Sequence, residues 1–170
     1  MGAAVGPPVV VREARPAEYD ALGAMVEEAY RAGGQLDDDD GYARTLRDVA
    51  DRAGTATVLA AVRGDVLLGT VTITPPGSPY SELAGPQESE FRFLAVAPPA
   101  WGSGVADLLV RACVERAAGS DIVIVTRDGN EAALRLYARH GFVRAPERDW
   151  EPVPGIVLVA LVRPWSAAQS

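Results

Sequence analysis

Hydrophobic positions recur with two different periods along this chain, and each period predicts a different element. Continuous or alternating apolar runs predict strands at 9–11, 57–62, 66–74, 90–96, 121–126, 142–144 and 156–162. Apolar residues at helical spacing predict helices between Pro16 and Gly33, between Tyr42 and Gly54, from Ser103 to Ala118 and from Asn130 to Gly141. The order of these elements predicts an α/β fold.

The stretch from Glu90 to Ala118 predicts the feature around which the chain is organised. An apolar strand ends at Pro98-Pro99, the chain passes through Gly102-Ser103-Gly104, and a helix with one apolar face follows. The first N–H groups of a helix lack intrahelical partners, and glycines let a phosphate approach them closely. The pattern therefore fits either an anion-binding turn or an ordinary connection between a strand and a helix.

A second strand of the same unit is predicted directly after this helix. The run 121–126 is continuously apolar and is bounded by turn residues. Such a run is typical of a parallel strand that is buried on both faces. The sequence thus predicts a strand, a crossover helix and a parallel strand.

The composition predicts one independently folding domain. The chain has 170 residues, of which 48% are hydrophobic, and this is enough for a substantial core. Its net charge of −7 argues against a nucleic-acid partner and is compatible with an amine-bearing acceptor. We expect a flexible segment over 1–8, the domain over 9–165 and a tail over 166–170.

Neither a metal centre nor a membrane segment is predicted. Cys113 and His140 are the only cysteine and the only histidine, which excludes a disulfide, a cysteine cluster and a multi-histidine site. Cys113 lies on the apolar face of its helix, so we expect it to be buried. The chain start lacks a signal-peptide pattern, and no run reaches the ~18 apolar residues of a membrane helix. We expect a cytoplasmic protein without a membrane partner.

Two blocks of the sequence carry a resemblance to a known family. The first is E-F-R-F-L-A-V-A-P-P-A-W-G-S-G-V-A from Glu90, and the second is N-E-A-A-L-R-L-Y-A-R-H-G-F from Asn130. Together they resemble the GNAT superfamily of acetyl-CoA-dependent N-acetyltransferases, over roughly positions 9 to 163. That family has a carboxylate near the start of its fourth strand, a turn of the form Arg/Gln-x-x-Gly-x-Gly/Ala, and a later N-x-x-A-x-x-L-Y helix followed by Gly-Phe.

The resemblance implies a GNAT fold, in which a mixed central sheet contains a parallel strand pair that splays apart and is flanked by helices. It also implies acetyl-CoA as the cosubstrate, without a metal, and a primary amine of a small molecule as the acceptor. The residues that it assigns to acetyl-CoA are Leu94, Ala95, Val96, Trp101, Gly102, Ser103, Gly104, Val105, Ala106 and Asn130. Backbone groups of Leu94 and Val96 are expected to pair with the pantetheine amides as an added strand does. Asn130 is also predicted to cap its helix.

Trp101 departs from the family pattern, which usually has arginine or glutamine at this position of the turn. Backbone N–H groups provide much of the family's contact with the pyrophosphate, and tryptophan retains its own. We therefore expect binding to persist without the usual side-chain contribution. The indole either stacks on a flat group or covers the turn.

Glu90 is the predicted general base. An alkyl amine with a pKa near ~10.4 is protonated at neutral pH, so a proton must be removed before it attacks the thioester. In the family, the carboxylate at this position faces the acceptor and acts directly or through water. Alternating side chains place Glu90 on one strand face with Arg92, Leu94 and Val96. The alternative is that Glu90 pairs with Arg92 or lies at an exposed strand end.

Tyr137 is the predicted general acid. The resemblance places it near the thioester sulfur, where its hydroxyl can protonate or hydrogen-bond the departing thiolate. The alternative is a core tyrosine on a helical stripe. His140, at the negative end of the same helix, is expected to be structural.

The acceptor side is less defined. Tyr30, Asp149, Trp150 and Glu151 are expected there from loop position alone, and the acidic run Asp37–Asp40 is either a solvated loop or one wall of an amine pocket. Ser103 and Cys113 have no histidine partner in a recognisable motif, so direct attack by the amine is preferred over a covalent enzyme intermediate. Two other functions stay open: a non-catalytic CoA-binding module, for which Trp101 is the supporting feature, and an acetyltransferase of peptide or protein N-termini. A homodimer is also left open.

Overall fold

The computed structural model describes residues 6–36 and 41–167. The chain divides into two compact units, and the division runs through two strands and one helix. The first unit contains Met1–Thr72 and Phe93–Leu109, and the second contains Ile73–Arg92 and Val110–Ser170. The predicted domain over 9–165 stays a prediction. Residues 1–5 of the predicted flexible start, 168–170 of the predicted tail and the acidic run Asp37–Asp40 lie outside the described residues.

The helices follow the predicted apolar stripes with one exception. Their bounds are α1 Tyr19–Ala32, α2 Tyr42–Arg47, α3 Val49–Ala53, α4 Val105–Arg116 and α5 Glu131–Arg139. The single helix predicted between Tyr42 and Gly54 is interrupted at Asp48, whose ψ of 67° is not helical. The Asp48 side chain accepts a hydrogen bond from the N–H of Asp51 and so begins α3 as a new helix.

The strands in the described residues form one eight-stranded sheet. Their bounds are β1 Val10–Glu13, β2 Thr57–Arg63, β3 Val66–Thr74, β4 Ser89–Val96, β5 Ile122–Arg127, β6 Val143–Arg144, β7 Trp150–Val153 and β8 Ile156–Arg163. The strand order is β1-β2-β3-β4-β5-β8-β6, and β7 pairs with β8. This mixed sheet, flanked by helices, confirms the predicted fold class.

One strand was not predicted. The segment between β6 and β8 was expected to be a loop, but Trp150–Val153 forms β7 and pairs antiparallel with β8. Pro152 and Pro154 obscure the strand pattern, because proline cannot donate to a ladder and is confined to edges and irregular positions. The register shift between Trp150 and Val153 agrees with that constraint.

The parallel pair of β4 and β5 is short and separates early. The register joins Ser89 to Ile122 and Glu90 to Val123, whereas β4 continues to Val96. Among the described residues other than glycine, Phe93 alone has a positive φ, at 59°. A left-handed residue inside a strand turns the chain and interrupts the ladder. The splayed pair therefore follows from the backbone of β4 itself.

The first unit has its own apolar core and one very close backbone approach. Helices α1 and α3 pack on β2 through Leu22, Val49 and Val58. At Gly69 of β3, a Cβ would lie 2.9 Å from the carbonyl oxygen of Ala95 and about as close to side chains of α4. Only glycine permits this approach, which seats the start of α4 against β3 and the end of β4.

The second unit is centred on an aromatic cluster. The ring centroids of Phe91 and Tyr137 lie 5.8 Å apart, and Phe142 lies 5.8 Å from Phe91 and 5.9 Å from Tyr137. Tilted and edge-on pairs at these distances are favourable beyond the area that they bury. The cluster fixes α5 relative to the first half of β4.

Candidate active site

The segment Trp101–Ala106, here called the glycine turn, lies in the first unit and leads into α4. Gly102 and Gly104 have φ of 77° and 87°, and a Cβ on either would meet nothing within 4 Å. Within the described residues, the N–H groups of Gly102, Gly104, Val105 and Ala106 have no hydrogen-bond acceptor. These N–H groups stand beside open space at the positive end of a helix, an arrangement that suits an anion such as a diphosphate.

The other two N–H groups of the glycine turn are used internally. Trp101 donates to the carbonyl of Pro98 at 3.1 Å, and Ser103 donates to the carbonyl of Ala100 at 3.3 Å. The Ser103 hydroxyl also donates to the Ala100 carbonyl. Of the six residues predicted to bind the diphosphate, Trp101 and Ser103 therefore shape the turn rather than offer backbone donors.

The indole of Trp101 lies back against the end of β4. Its Nε1–H donates to the carbonyl of Val96 at 2.7 Å, and the residue is 51% exposed. The predicted positions of this side chain, stacked on a flat group or covering the turn, stay predictions.

Leu94, Ala95 and Val96 form the end of β4, and their backbone groups alternate between its two edges. Ala97 donates its N–H to the carbonyl of Leu68 in β3 at 2.8 Å. In a trans peptide, a carbonyl and the following N–H point in opposite directions, so the Val96 carbonyl points away from β3. Leu94 and Val96 thus face the β4 edge that has no ladder beyond Glu90, and Ala95 faces β3.

The ring of Phe93, the residue with the positive φ, lies under a buried arginine. Arg52 of α3 is 1% exposed, and its guanidinium carbon lies 4.3 Å from the Phe93 ring centroid. The guanidinium donates to the carbonyls of Thr45 and Leu46 at 2.8 and 2.9 Å. A cation over an aromatic face is a favourable contact. This pair was not predicted, since no local sequence pattern links the two positions.

Glu90 lies in the second unit, and its carboxylate is bonded to the backbone. It is 0% exposed and accepts hydrogen bonds from the N–H groups of Glu82, Leu83 and Ala84 at 2.8, 2.8 and 2.9 Å. We call the segment Glu82–Ala84 the anchored loop. The alternative prediction that Glu90 lies at an exposed strand end is wrong, because this residue is fully buried. The role of Glu90 as base stays a prediction.

A half-buried network of charges surrounds the anchored loop. Arg92 pairs with the Glu82 carboxylate at 3.5 Å and donates to the Tyr80 carbonyl at 2.9 Å. Arg148 binds Glu88 with both terminal nitrogens, at 2.9 and 2.8 Å, and also donates to the Leu83 carbonyl. No element was predicted between the strands 66–74 and 90–96. The only signal of this network in the sequence is the density of charged residues, which does not reveal partners 60 residues apart.

The two carboxylates of this network have opposite pKa shifts. Burial raises the pKa of Glu82, and the charge of nearby Glu90 adds to the effect while Arg92 opposes it. The hydrogen bond from Arg148 lowers the pKa of Glu88, assisted by the Gly85 N–H. Glu82 is therefore the carboxylate of this network whose environment favours taking up a proton.

Tyr137 lies on α5 in the second unit, 7% exposed within the aromatic cluster. Among residues 6–36 and 41–167, none forms a hydrogen bond with its hydroxyl. Burial raises the pKa of this phenol, and the neighbouring Cys113 adds to the shift. The hydroxyl therefore stays protonated at neutral pH and is available as a donor.

The other predicted residues of α4 and α5 have mainly structural contacts. The side chain of Asn130 accepts the N–H of Ala133 at 3.2 Å, which confirms the predicted N-cap, and its contact with the cofactor stays a prediction. His140 is the C-cap of α5, and its carbonyl accepts a hydrogen bond from Arg163 at 2.9 Å. Cys113 is fully buried, as predicted, and desolvation raises the pKa of its thiol.

The residues expected on the acceptor side do not form one cluster in the second unit. Asp149 accepts two bonds from Arg144 and one from the Ala160 N–H, and Glu151 accepts the Gly155 N–H at 2.6 Å. Asp149 thus links β6 to β8, and Glu151 bonds to the turn that precedes β8. Trp150 is 39% exposed on β7, and Tyr30 belongs to α1 in the first unit. Their predicted role at the acceptor stays a prediction.

The described residues contain neither a candidate metal-binding group nor a helix that could span a membrane. In that part of the chain, no three histidine, cysteine, aspartate or glutamate side chains are grouped so that they could hold a metal ion. None of the helices described has the length and apolar character needed to cross a bilayer.

The open strand edge, the glycine turn and the helix after it belong to a mixed α/β fold that is similar to known proteins. The sequence model of the acetyltransferase (GNAT) family matches residues 21–142. No curated protein is detectably similar in sequence. The fold is similar to yncA from Salmonella typhimurium, whose structure contains its cofactor acetyl-CoA, with a TM-score of 0.70, 18% identity, and coverage of 94% of this chain and 95% of that one.

Two further structures have the same fold. A protein of the histone acetyltransferase HPA2 and related acetyltransferase group from Corynebacterium glutamicum has a TM-score of 0.74 and 19% identity, with 93% of this chain and 97% of that chain covered. A GNAT-family acetyltransferase from Streptococcus agalactiae has a TM-score of 0.73 and 18% identity, with 93% and 96% covered. The protein belongs to the GNAT acetyltransferase family. It is therefore an acyltransferase enzyme.

Proposed function

We propose that the protein is an N-acetyltransferase that transfers an acetyl group from acetyl-CoA to a primary amine of a small molecule. The observation that carries the proposal is the glycine turn, with N–H groups at Gly102, Gly104, Val105 and Ala106 that have no acceptor in the described residues. N–H groups at the start of a helix have no intrahelical partner and lie at its positive end, so they suit an anionic ligand. The geometry fits the diphosphate of CoA, and the acetyl-CoA bound to yncA supports the same choice.

The end of β4 supports a place for the pantetheine arm. Leu94 and Val96 present backbone groups at an edge without a strand partner, where an amide-containing chain can pair as an added strand would. The thioester carbonyl would follow along this edge. Positioning two reactants next to each other supplies a large part of the acceleration in such transfers.

The transfer itself requires one bond to form and one to break. The amine nitrogen attacks the thioester carbonyl carbon, the C–S bond breaks, and the sulfur leaves as a thiolate. One proton leaves the amine and one is taken up by the thiolate, so an acid and a base balance the step. Tyr137 is proposed as the acid, because its hydroxyl is protonated and has no partner among the described residues.

Glu82 and Glu90 are the two candidates for the base, and the geometry favours Glu82. All three bonds of Glu90 go to backbone N–H groups that would lose a partner if the carboxylate took part in proton transfer. Burial raises the pKa of Glu82. Its carboxylate forms an ion pair with Arg92 at 3.5 Å and accepts no backbone N–H group among the described residues. Glu90 then acts as the positioning residue that fixes the backbone of Glu82.

A binding and turnover experiment tests the function. Isothermal titration with CoA and a free-thiol assay over small-molecule amines and peptides should give micromolar binding and thiol release with at least one small amine. Binding without turnover on any acceptor would support a non-catalytic CoA-binding module. Turnover on peptides alone would support an acetyltransferase of peptide or protein N-termini. Absence of CoA binding would contradict all three.

A further inference from the structure

Trp101 makes a contact that neither the turn nor the strand requires. Its indole N–H donates to the Val96 carbonyl at 2.7 Å, at the short end of the range for an N–H···O bond. The ring is 51% exposed, so burial of the side chain does not force this geometry. A half-exposed tryptophan is therefore held by one polar contact.

The carbonyl that Trp101 occupies faces the open edge of β4. Ala97 points its N–H at Leu68 of β3, so the preceding Val96 carbonyl points to the other edge. The ladder with β5 extends no further along β4 than Glu90. The indole N–H thus stands where an incoming amide would place its own N–H donor.

We infer that Trp101 and the pantetheine arm of acetyl-CoA compete for the Val96 carbonyl, and that Trp101 thereby sets the affinity for the cosubstrate. This inference rests on the proposed function, because it assumes that the arm pairs along β4. In the free enzyme the indole satisfies the carbonyl. On binding, a pantetheine amide N–H replaces it and the side chain swings away from β4.

The substitution Trp101→Phe separates this role from others, because it retains an aromatic ring and removes the donor. CoA can bind to wild type only when the hydrogen bond from the indole to the Val96 carbonyl is broken, and this cost raises the Kd roughly fivefold. We therefore expect Trp101→Phe to bind CoA about fivefold more tightly than wild type. The matched control is Trp165→Phe, which changes a tryptophan of similar exposure in the second unit and should leave Kd unchanged.

A second ligand tests whether the change in affinity depends on the pantetheine arm of CoA. The 3′-phosphorylated form of ADP has the diphosphate of CoA without pantetheine, so its affinity should be the same in wild type and Trp101→Phe. Equal changes for both ligands would mean that Trp101 acts on the glycine turn, and the inference would be wrong. Weaker or unchanged CoA binding in Trp101→Phe would also contradict it. If wild type binds neither ligand, the proposed function itself fails.

An NMR measurement on the wild-type protein avoids any dependence on the variant. The Nε1–H resonance of Trp101, assigned by its loss in Trp101→Phe, should shift and exchange faster with water when CoA saturates the protein. The 3′-phosphorylated ADP should leave it in place. A resonance that keeps its position and its protection with CoA bound would show that the indole stays on Val96, contrary to the inference.

Discussion

The glycine turn and the anchored loop each contain several backbone N–H groups close together in the sequence, but only in the anchored loop does the protein itself supply an anion to them. In the anchored loop, the N–H groups of Glu82, Leu83 and Ala84 converge on the buried carboxylate of Glu90. In the glycine turn, four N–H groups have no acceptor in the described residues. The first arrangement is thus complete within the described residues, and the second is not.

The difference separates a structural role from a binding role in residues that the sequence motif groups together. A carboxylate that satisfies three buried donors contributes to stability, because its loss leaves those donors unpaired. Donors that face open space contribute little to stability and are available for binding. Stability and cosubstrate affinity should therefore respond to different substitutions.

The largest expected effect comes from filling the space at the glycine turn. Gly104→Val adds a branched side chain beside N–H groups of α4 and forces valine into a φ of 87°. We expect the Kd for CoA to rise about 100-fold, or about 2.7 kcal/mol, measured by isothermal titration. Gly155→Val is the control, since Gly155 has a φ of 88° and also meets nothing within 4 Å. Equal loss of CoA affinity in both variants would mean that strain, not access, is responsible.

Removing the anion from the anchored loop should affect stability first. Glu90→Gln presents an amide NH₂ to a set of N–H donors, so at least one hydrogen bond is lost and two donors face each other. We expect the free energy of unfolding to fall by about 2.5 kcal/mol in urea, with the Kd for CoA changed less than twofold. Glu82→Gln is the matched variant. It should retain stability and lower kcat with loss of the acidic limb of the pH profile.

The opposite pattern would restore the original interpretation of Glu90. If Glu90→Gln keeps wild-type stability and abolishes the acidic limb of kcat, while Glu82→Gln has wild-type kinetics, then Glu90 is the base. The pH profile distinguishes the two, because a positioning role changes the amount of active enzyme but not the ionisation that limits it.

The Tyr137 hydroxyl provides a third test, since it too has no partner among the described residues. Tyr137→Phe should lower kcat by roughly 30-fold, below the usual effect of a general acid because a thiolate is a good leaving group. Stability should stay within about 0.5 kcal/mol of wild type, because no hydrogen bond is lost. Tyr19→Phe, at the start of α1, is the control. Unchanged kcat in Tyr137→Phe would end its assignment as the acid.

The smallest effect is expected at Glu88, which supports the anchored loop from its other side. Its folded-state pKa lies below the ordinary 4.5, because Arg148 and the Gly85 N–H bind the ionised form. Its contribution is thus complete above pH 4.5 and is lost as the pH falls through the lowered pKa. Glu88→Gln should cost about 1 kcal/mol at pH 7 and flatten the loss of stability in acid, measured by urea unfolding from pH 3 to 7. If the free energy of unfolding of Glu88→Gln falls with decreasing pH as steeply as that of wild type, the Glu88–Arg148 pair is not a source of the pH dependence of stability.

Elements with a strong local pattern could be predicted from the sequence. The helices α1, α4 and α5 have apolar stripes at helical spacing, and the cap of α5 at Asn130 depends only on residues three apart. By contrast, β7 was missed because Pro152 within it and Pro154 after it mask the strand pattern, and the break at Asp48 depends on one side chain that caps α3. Short elements with conflicting local patterns can be assigned only when the strands or helices that they contact are known.

The sequence by itself determined the family, the order of elements and the position of the glycine turn, because these depend on residue types at fixed local spacing. Only the tertiary structure decided which polar groups are already satisfied. Glu90 meets its three donors across a loop, Arg52 meets Phe93 from another helix, and Trp101 reaches back to Val96. Hydrogen bonds and charge pairs form between atoms that the folded chain brings within about 3 Å, and no local pattern encodes that proximity.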